Sequence, residues 1–350
     1  MRYPKDLQPG GCVGFLAPSF GCAFEPYRSA FDNGLKRWEE RGYRYVLGPN
    51  CYAMEGVGIS NTPEECGKEV NESFLSEESD VLVSCGGGEL MCEILEYVDF
   101  ESIAKAEPKW YMGYSDNTNL IYLLTTLCDT ASIYGPCAAA FGMEPLHPSI
   151  EDSYKLLTGS KRTMKGYDKW EKESLKNEEN PLATINATEP RILKTYVGGV
   201  FTEDAREGEQ QISMKGRLLG GCMDCLVNLL GTRFDKTTEF IERYKEDGII
   251  WFLEACDLNT FSIRRAMWQM EQAGWFKYTK GFLFGRALND EPMFGLDAYQ
   301  AVLPVASKYD VPVIFDLDIG HKSPMMPLVC GSVAQVHVSG NDVEIEMKYI

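Results

Sequence analysis

The sequence predicts an α/β protein with two domains. Apolar strand segments alternate with amphipathic helical segments through the first part of the chain, the pattern of a parallel sheet covered by helices on both faces. At 350 residues the chain exceeds one ordinary single-core domain. The pattern fails in a polar middle stretch and then resumes. We therefore expect a parallel-sheet domain over residues 1–150, a linker and loop insertion over 151–215, and a second, smaller α/β domain over 216–350.

The N-terminal elements follow one another at regular intervals. A short apolar run at 11–19 predicts the first strand, and the segment from Tyr27 to Arg41 has apolar residues at helical spacing. Apolar runs at 80–88 and 108–115 predict further strands, and each precedes a helical stretch. Carboxyl ends of parallel strands form the edge where such sheets bind ligands, so the residues that follow these strands are candidates for function.

The second half repeats the alternation and ends in a hairpin. Apolar runs at 248–255 and 281–286 predict strands, and helical spacing predicts helices near 262–272 and 296–308. The chain ends in AQVHVSGNDVEIEMKY, whose two alternating segments flank a turn sequence. This pattern is typical of a β-hairpin.

The middle stretch, 151–215, is polar and weakly periodic, and it is too long for a plain connector. It is either a disordered linker or a functional insertion that lies over a site. Tyr167, Trp170 and Tyr196 favour the insertion, because disordered segments are usually poor in aromatic residues.

Composition excludes several functions. The formal charge of −18 argues against a nucleic-acid polymer as partner, because phosphate binding needs clustered Lys and Arg. No run approaches the roughly 18 apolar residues of a membrane span, so no membrane partner is expected. The first ten residues lack the apolar core of a secretory signal, which predicts a cytoplasmic location.

Twelve cysteines are scattered along the chain, and one pair, Cys222 and Cys225, has CxxC spacing. No second CxxC and no HxxxH completes a zinc site, so no metal is expected. The pair is interpreted as small buried core residues, with redox or metal chemistry as the alternative.

Ser115 lies where an apolar strand gives way to a helix, in the sequence GYSDN. A serine at such a turn has its hydroxyl raised above the sheet, and the backbone N–H that follows points to where an oxyanion would form. Ser and Asp also commonly cap helices, and the sequence lacks the second glycine of the G-x-S-x-G elbow. From these residues alone both interpretations stay open.

A serine nucleophile needs a base, and the sequence has three histidines. His337 lies between valines of an alternating strand and is expected to face solvent, and His147 lies in a proline-flanked loop. His321 follows a long apolar strand and a glycine, at a strand end where α/β proteins place catalytic groups. It is the best candidate for the base, with a structural histidine as the alternative.

The base in turn needs a carboxylate that holds its tautomer. Glu254 ends a strongly apolar strand, and Asp257 and Asp316 compete with it on position alone. The glycine run from Gly86 to Gly88 follows another strand and allows close backbone approach to a phosphate or an oxyanion. Neither a Walker motif nor GxGxxG is present, so the run alone does not identify a nucleotide site.

Taken in order, these segments resemble the LD-carboxypeptidase family of serine peptidases across nearly the whole chain. The resemblance rests on GFLAPS, CGGGELMCEILEYVDF, PKWYMGYSDNTNL, YGP, GRLLGG with LLGT, IIWFLEA, GFLFGR, and DIGHKSP with PLVCG. Each segment is weak alone, but their shared order is specific. It implies a larger, flavodoxin-like domain that carries the serine and a smaller domain that supplies the Glu and the His.

The resemblance also implies roles for individual residues. These are Ser115, His321 and Glu254 as a triad, the backbone N–H groups of Gly87 and Asp116 as an oxyanion hole, and Gly86 and Gly88 as substrate contacts. It implies no metal and no cofactor, and family members are commonly homodimers. Two positions depart from the family, since many members have Arg in place of Cys85 and Asn in place of Cys222.

Two features are similar to the microcin C self-immunity branch of this family. The chain is longer than a typical peptidoglycan LD-carboxypeptidase, with the excess in the stretch that carries Trp170, and His321 lies in a D-x-G-H-x-x-P sequence. In that branch a tryptophan of this loop stacks on the nucleobase of the substrate. Trp170 is therefore expected to bind substrate, with anchoring of its own loop as the alternative.

The resemblance leaves two substrates open. One is a peptidyl- or aminoacyl-nucleotide, cleaved at the amide next to its terminal acidic residue, which the insertion around Trp170 favours. The other is the L,D-amide of a murein tetrapeptide, from which the enzyme would release D-alanine. A non-catalytic nucleotide- or peptide-binding module is the alternative from another class, but it leaves the Ser, Glu and His landmarks unexplained.

Overall fold

The computed structural model describes residues 1–207 and 211–350. The chain divides into two compact units of nearly equal length, Met1–Arg162 with Glu173–Asn186 and Thr163–Lys172 with Ala187–Ile350. The predicted α/β class with two domains is confirmed. The second unit is only slightly shorter than the first.

The domain boundaries expected at residues 150 and 215 stay a prediction. Of the expected insertion at 151–215, residues 208–210 lie outside the described residues. The remainder contributes to both units, because the chain passes to the second unit at Thr163, returns to the first over Glu173–Asn186 and then enters the second again.

The first unit is a doubly wound parallel sheet. Its strands pair in the order β5-β4-β3-β1-β2, which is the flavodoxin-like order. The strands are β1 (Cys12–Leu16), β2 (Arg44–Leu47), β3 (Val81–Ser84), β4 (Trp110–Gly113) and β5 (Ser132–Tyr134), and the helices are α1 (Tyr27–Glu40), α2 (Pro63–Leu75), α3 (Phe100–Lys105), α4 (Thr118–Thr126) and α5 (Pro148–Leu157). Short 3₁₀ turns occupy Met91–Tyr97, Ser115–Asn117 and Ala138–Gly142.

Burial explains why these segments form a parallel sheet. Every residue of β1, β3 and β4 is buried, so the strands are continuous apolar runs with both faces covered. Helix α1 buries Phe31, Leu35 and Trp38, the residues whose spacing predicts the helix. Because the strands run in the same direction, the loops after Ser84 and Gly113 meet at one edge of the sheet.

The second unit has a nine-stranded mixed sheet in the order β10-β9-β14-β13-β12-β11-β16-β17-β6, and a separate antiparallel pair, β7 with β8. Its strands are β6 (Thr163–Lys165), β7 (Lys169–Glu171), β8 (Ala187–Pro190), β9 (Lys194–Val197), β10 (Val200–Thr202), β11 (Gln211–Cys222), β12 (Ile249–Glu254), β13 (Thr279–Gly285), β14 (Val313–Leu317), β15 (Leu328–Cys330), β16 (Val333–Ser339) and β17 (Asp342–Lys348). Its helices are α6 (Met223–Leu229), α7 (Thr237–Arg243), α8 (Thr260–Gln272) and α9 (Ala298–Ala306), and a 3₁₀ turn covers Ser307–Tyr309.

The centre of this sheet is parallel. Strand β12 pairs in parallel with β11 and β13, and every one of its residues is buried, including the terminal Glu254. The predicted C-terminal hairpin is present as β16 and β17. No helix in residues 1–207 or 211–350 has both the length and the apolar character needed to cross a bilayer.

Candidate active site

Ser115 opens the 3₁₀ turn between β4 and α4. Its φ is +62°, in the left-handed region that residues with a Cβ rarely adopt. Backbone strain of this kind persists only where the surroundings hold it, and it is common at functional sites. The N-cap residue of α4 is Asn117, so Ser115 is not the cap of that helix. The structure therefore favours an exposed-hydroxyl turn over the capping interpretation.

Asn117 fastens the serine turn to the glycine run. Its Nδ2 donates to the carbonyl oxygen of Gly86 at 2.8 Å and to that of Tyr114 at 3.1 Å. The hydroxyl of Tyr111 donates to its Oδ1. Because both amide atoms of a buried side chain are engaged, the turn and the glycine run are held in one fixed arrangement.

The Asp116 carboxylate supports the same turn. It accepts hydrogen bonds from the Ser19 hydroxyl at 2.6 Å, the Met91 backbone N–H at 2.9 Å and the Asn119 amide at 3.0 Å. Burial raises the pKa of Asp116 to about 6, against the opposing effect of the Ser19 hydrogen bond. The side chain thus ties three loops together, and the expected use of the Asp116 backbone N–H in an oxyanion hole stays a prediction.

Gly87 lies directly against the serine. A Cβ added at Gly87 would be 3.0 Å from Cβ and 3.1 Å from Oγ of Ser115, so only a glycine leaves room at the hydroxyl. A Cβ at Gly88 would overlap the Ser19 hydroxyl, and one at Gly86 would be 3.0 Å from the Phe20 carbonyl oxygen. The structure thus brings the glycine run and Ser115 together, as an oxyanion hole at Gly87 requires.

In the second unit, Glu254 and His321 form a hydrogen-bonded pair. Nδ1 of His321 is 2.9 Å from Oε2 of Glu254, whose side chain is fully buried at the end of β12. Gly320 makes this contact possible. Its φ is +93°, and a Cβ there would lie 2.5 Å from both Cγ and Oε2 of Glu254. A glycine before the histidine is therefore required for the loop to cross the carboxylate.

The environment of His321 favours its charged form. Burial alone lowers the pKa of this imidazole, but the Glu254 carboxylate, with a contribution from Cys256, raises it above its ordinary value. A carboxylate on Nδ1 fixes the tautomer and stabilises the imidazolium, and it leaves Nε2 to accept a proton from a nucleophile. The pair has the arrangement of a base and its orienting acid.

The other candidates for the carboxylate and the base have other partners or face solvent. Asp257 is exposed, and Asp316 accepts a hydrogen bond from the Tyr299 hydroxyl at 2.8 Å. His147 accepts the backbone N–H of Ser149 at the start of α5, and His337 faces solvent on β16, as predicted. His321, by contrast, lies within hydrogen-bond distance of the buried Glu254 carboxylate.

The CxxC segment begins beside Glu254, and residues 1–207 and 211–350 contain no group of His, Cys, Asp and Glu side chains that could hold a metal ion. Cys222 and Cys225 are buried, and Cys222 is the neighbour of Glu254 in the β11–β12 pairing. The Cys222 thiol donates to Oδ2 of Asp224 at 3.3 Å. Core burial is thus the interpretation that the structure supports for both cysteines.

Asp224, inside the CxxC segment, is a residue that the sequence did not single out. Its carboxylate accepts three successive backbone N–H groups of the loop after Glu254, from Cys256 at 3.0 Å, Asp257 at 2.9 Å and Leu258 at 3.0 Å. An acidic residue at the start of a helix after a buried strand was the available signal, but the loop it binds is 32 to 34 residues away in sequence. It holds the chain beside the Glu254–His321 pair.

Trp170 lies in β7, paired with Glu189 of β8. The strand is attached to the loop after the histidine, because the backbone N–H of Glu171 donates to the Ser323 carbonyl oxygen at 2.6 Å. The Trp170 ring lines a groove of about 440 Å³ in the second unit, together with Arg286 and Lys322. Trp170 is therefore compatible with both expected roles, since its backbone anchors the loop and its side chain lines a cavity where substrate could bind.

The predicted residues thus fall into two clusters, one in each unit. Ser115, Asp116 and the glycine run form one, and Glu254, His321 and Trp170 form the other. Four supporting residues came only from the structure: Asn117, Asp224, Arg286 and Lys322.

Two family models match most of the chain, including Ser115, Glu254 and His321 but not the stretch that carries Trp170. The family model of the LD-carboxypeptidase N-terminal domain matches residues 13–135, and that of the LD-carboxypeptidase C-terminal domain matches residues 215–336. The microcin C7 self-immunity protein MccF of Escherichia coli is 23% identical over 353 residues, which cover 98% of this chain and 95% of that protein.

Solved structures show the same fold. One of the microcin C7 self-immunity protein MccF in complex with aspartyl sulfamoyl adenosine superposes with a TM-score of 0.78 at 21% identity over the whole of both chains. An MccF-like protein from Bacillus anthracis gives a TM-score of 0.79 at 20% identity, over 99% of this chain and 100% of that one. Two-domain architecture is thus shared along the full length.

Proposed function

The chain belongs to the LD-carboxypeptidase family of serine-type carboxypeptidases, and on that premise we propose that it hydrolyses an amide through Ser115, His321 and Glu254. The observation that carries the proposal is the 2.9 Å contact between His321 Nδ1 and buried Glu254 Oε2. This contact pairs a histidine base, His321, with an orienting carboxylate, as acyl transfer to serine requires.

In the proposed reaction the Ser115 Oγ attacks the carbonyl carbon of the substrate while His321 Nε2 takes its proton. The backbone N–H groups of Gly87 and Asp116 bind the oxyanion, and Glu254 stabilises the imidazolium. Collapse breaks the C–N bond, and the leaving nitrogen takes the proton from His321. Water, activated in turn by His321, then hydrolyses the acyl-Ser115 ester and frees the acid.

A peptidyl- or aminoacyl-nucleotide is the substrate that we propose. Support comes from Trp170, whose side chain lines a groove and whose backbone segment is linked to the loop of His321, where an aromatic ring can stack on a base. It also comes from full-length similarity to MccF, whose solved complexes include aspartyl sulfamoyl adenosine. Detoxification of microcin-C-type peptide-nucleotides is the corresponding role.

The second candidate is an L,D-carboxypeptidase that releases D-alanine from a murein tetrapeptide, as in peptidoglycan recycling. The observation that favours it is the match of both halves of the chain to LD-carboxypeptidase domains. Under this alternative Trp170 anchors its loop and no base is bound. The homodimer common in the family and the cytoplasmic location stay predictions.

Two parallel digests distinguish these substrates. Purified protein is incubated with an L-Ala-D-Glu-meso-diaminopimelate-D-Ala tetrapeptide or with a glutamyl- or aspartyl-sulfamoyl adenosine, and the products are read by mass spectrometry, with Ser115→Ala as control. We expect cleavage of the adenosine conjugate into the amino acid and the sulfamoyl nucleoside. Release of D-alanine alone would select the murein role. If neither compound is cut and a fluorophosphonate fails to label Ser115, the non-catalytic binding module is the better interpretation.

Asp224→Asn should lower kcat about 10- to 100-fold with KM nearly unchanged. An amide has one acceptor oxygen in place of two, so it cannot keep all three backbone N–H groups of residues 256–258, and the loop beside Glu254 shifts. A displacement of about 1 Å at a catalytic pair costs rates of this order. Steady-state kinetics on the cleaved substrate measure the effect.

Asp235→Asn is the matched control for Asp224. Its carboxylate likewise accepts two backbone N–H groups, from Thr237 at 3.1 Å and Gly231 at 3.4 Å, in the same unit but in a turn that contacts neither Glu254 nor His321 in these bonds. We expect both variants to melt a few degrees lower. If they lose the same kcat, Asp224 contributes only to folding stability.

A further inference from the structure

Lys322 occupies a defined place between two parts of the site. The residue before it, His321, binds Glu254, and the residue after it, Ser323, accepts the backbone N–H of Glu171 beside Trp170. The Lys322 Nζ lies 5.6 Å from the centroid of the Trp170 ring. A ligand that reached from His321 to Trp170 would therefore pass the Lys322 ammonium group.

Arg286 lies under the same ring, with its Cζ 5.2 Å from the Trp170 centroid. The residue is 5% exposed and its Nη1 is bonded to Asp318 at 2.8 Å. Its buried Nη2 has no hydrogen-bond partner among the described residues. A buried donor without an acceptor is costly, and because Arg286 lines the groove, a turn of its guanidinium group would bring Nη2 to an acceptor on a ligand.

Three of the five acidic residues that line the groove lie in ion pairs, and the other two are Glu189 and Asp316. Lys194 binds Glu203 at 2.7 Å and Arg206 binds Asp204, so those two charges are compensated. Asp316 accepts a hydrogen bond from the Tyr299 hydroxyl at 2.8 Å, and burial raises its pKa. Asp290, the partner of Lys322 at 2.8 Å, has a side chain that is 47% exposed. The Lys322 side chain is 15% exposed, and because the Asp290 carboxylate is about half exposed, an anionic ligand can replace it at the ammonium group.

We propose that Lys322, with Arg286, is the seat for an anionic phosphoryl or sulfamoyl group of the ligand, between the scissile amide at His321 and a base on Trp170. This inference rests on the proposed function and adds a specificity determinant to it. In an aminoacyl sulfamoyl adenosine the sulfamoyl group is bonded to the scissile nitrogen, and ribose separates it from the base. That order matches the order of His321, Lys322 and Trp170, of which Lys322 and Trp170 line the groove and His321 is the neighbour of Lys322 in the sequence.

The test is the affinity of two ligands that differ only in the phosphoryl group, AMP and adenosine, for the Ser115→Ala protein by isothermal titration calorimetry. We expect AMP to bind about 10- to 100-fold more tightly than adenosine, the range of a charged hydrogen bond, and the margin to shrink with added salt. Lys322→Met should remove the margin and leave adenosine affinity within about twofold. Lys322→Arg should restore most of it.

The matched control is Lys277→Met. Lys277 also pairs with an acid, Glu242 at 3.1 Å, and also lies over an aromatic ring, that of Tyr278, but it lines no part of the groove. It should keep the full AMP margin. Arg286 is not the residue to replace, because its loss would leave the buried Asp318 carboxylate short of its closest cation.

The outcomes separate the two proposals. Suppose that the wild type cleaves the adenosine conjugate. If AMP and adenosine then bind with equal affinity, or if Lys322→Met still binds AMP more tightly than adenosine by the full factor, Lys322 is not the seat, and the proposed function stands. A margin that depends on Lys322 in a protein that cleaves no adenosine conjugate supports the seat and removes the proposed function. An effect of Lys322→Met confined to release of D-alanine from the tetrapeptide overturns the assignment to a phosphoryl group.

Discussion

Ser115→Ala should lower kcat/KM by about 10⁴- to 10⁶-fold on whichever substrate the wild type cleaves, because members of a triad act as a unit and no acyl-enzyme forms without the hydroxyl. Labelling by a fluorophosphonate should disappear at the same time. The decrease is measured by product mass spectrometry at matched protein concentration. Retention of more than about a tenth of the wild-type rate would falsify the assignment of Ser115 as nucleophile.

Two further serine variants make the result specific. Ser102→Ala removes an exposed hydroxyl of α3 that donates to Asp99 at 2.7 Å, and it should leave activity unchanged. Ser115→Gly should be as inactive as Ser115→Ala but about 1 kcal/mol more stable than it, because glycine adopts a φ of +62° without steric cost. A lower melting temperature for the glycine variant would show that the turn is not strained.

The uncertainty about Ser115 in the sequence has a physical origin. Short-range pattern places a serine between a strand and a helix, and both a cap and a nucleophile satisfy that pattern. What separates them is the left-handed φ and the bond from Asn117 to the Gly86 carbonyl oxygen, 31 residues away in sequence. Such long-range contacts have no local signature.

The choice of carboxylate was open for the same reason. Glu254, Asp257 and Asp316 all lie at or near the ends of apolar strands, and only the tertiary fold shows that Glu254 contacts His321 while Asp316 contacts Tyr299. The sequence did carry one usable clue, the glycine at position 320. A residue with a positive φ directly before a histidine indicates a loop that must pass close to another group.

The polar stretch around Trp170 was least predictable. Its strands β6, β7 and β8 have three or four residues each, and most of their side chains are partly or fully exposed. Alternation over so few residues does not stand out from a loop, and a strand with one exposed face needs few apolar residues. The long parallel strands were predictable because burial on both faces demands a continuous apolar run.

Glu254→Gln should both slow the enzyme and move its pH profile. The base must be deprotonated to accept the Ser115 proton, so kcat/KM rises with pH through the pKa of His321 in the free enzyme. Because Glu254 helps to raise that pKa, the wild-type rise should lie above the ordinary histidine value of 6.5. Glutamine removes the carboxylate, the effect of burial then dominates, and the rise moves to lower pH.

The plateau of the same profile should fall by about 10³- to 10⁴-fold, because glutamine neither stabilises the imidazolium nor fixes the tautomer. Measurement of kcat/KM from pH 5 to pH 10 gives both effects in one experiment. Asp257→Asn and Asp316→Asn should leave the rise at its wild-type pH, since neither carboxylate contacts the imidazole in a described hydrogen bond. If the rise moves in Asp316→Asn and stays fixed in Glu254→Gln, the orienting acid is Asp316, and the 2.9 Å contact of Glu254 has only a structural role.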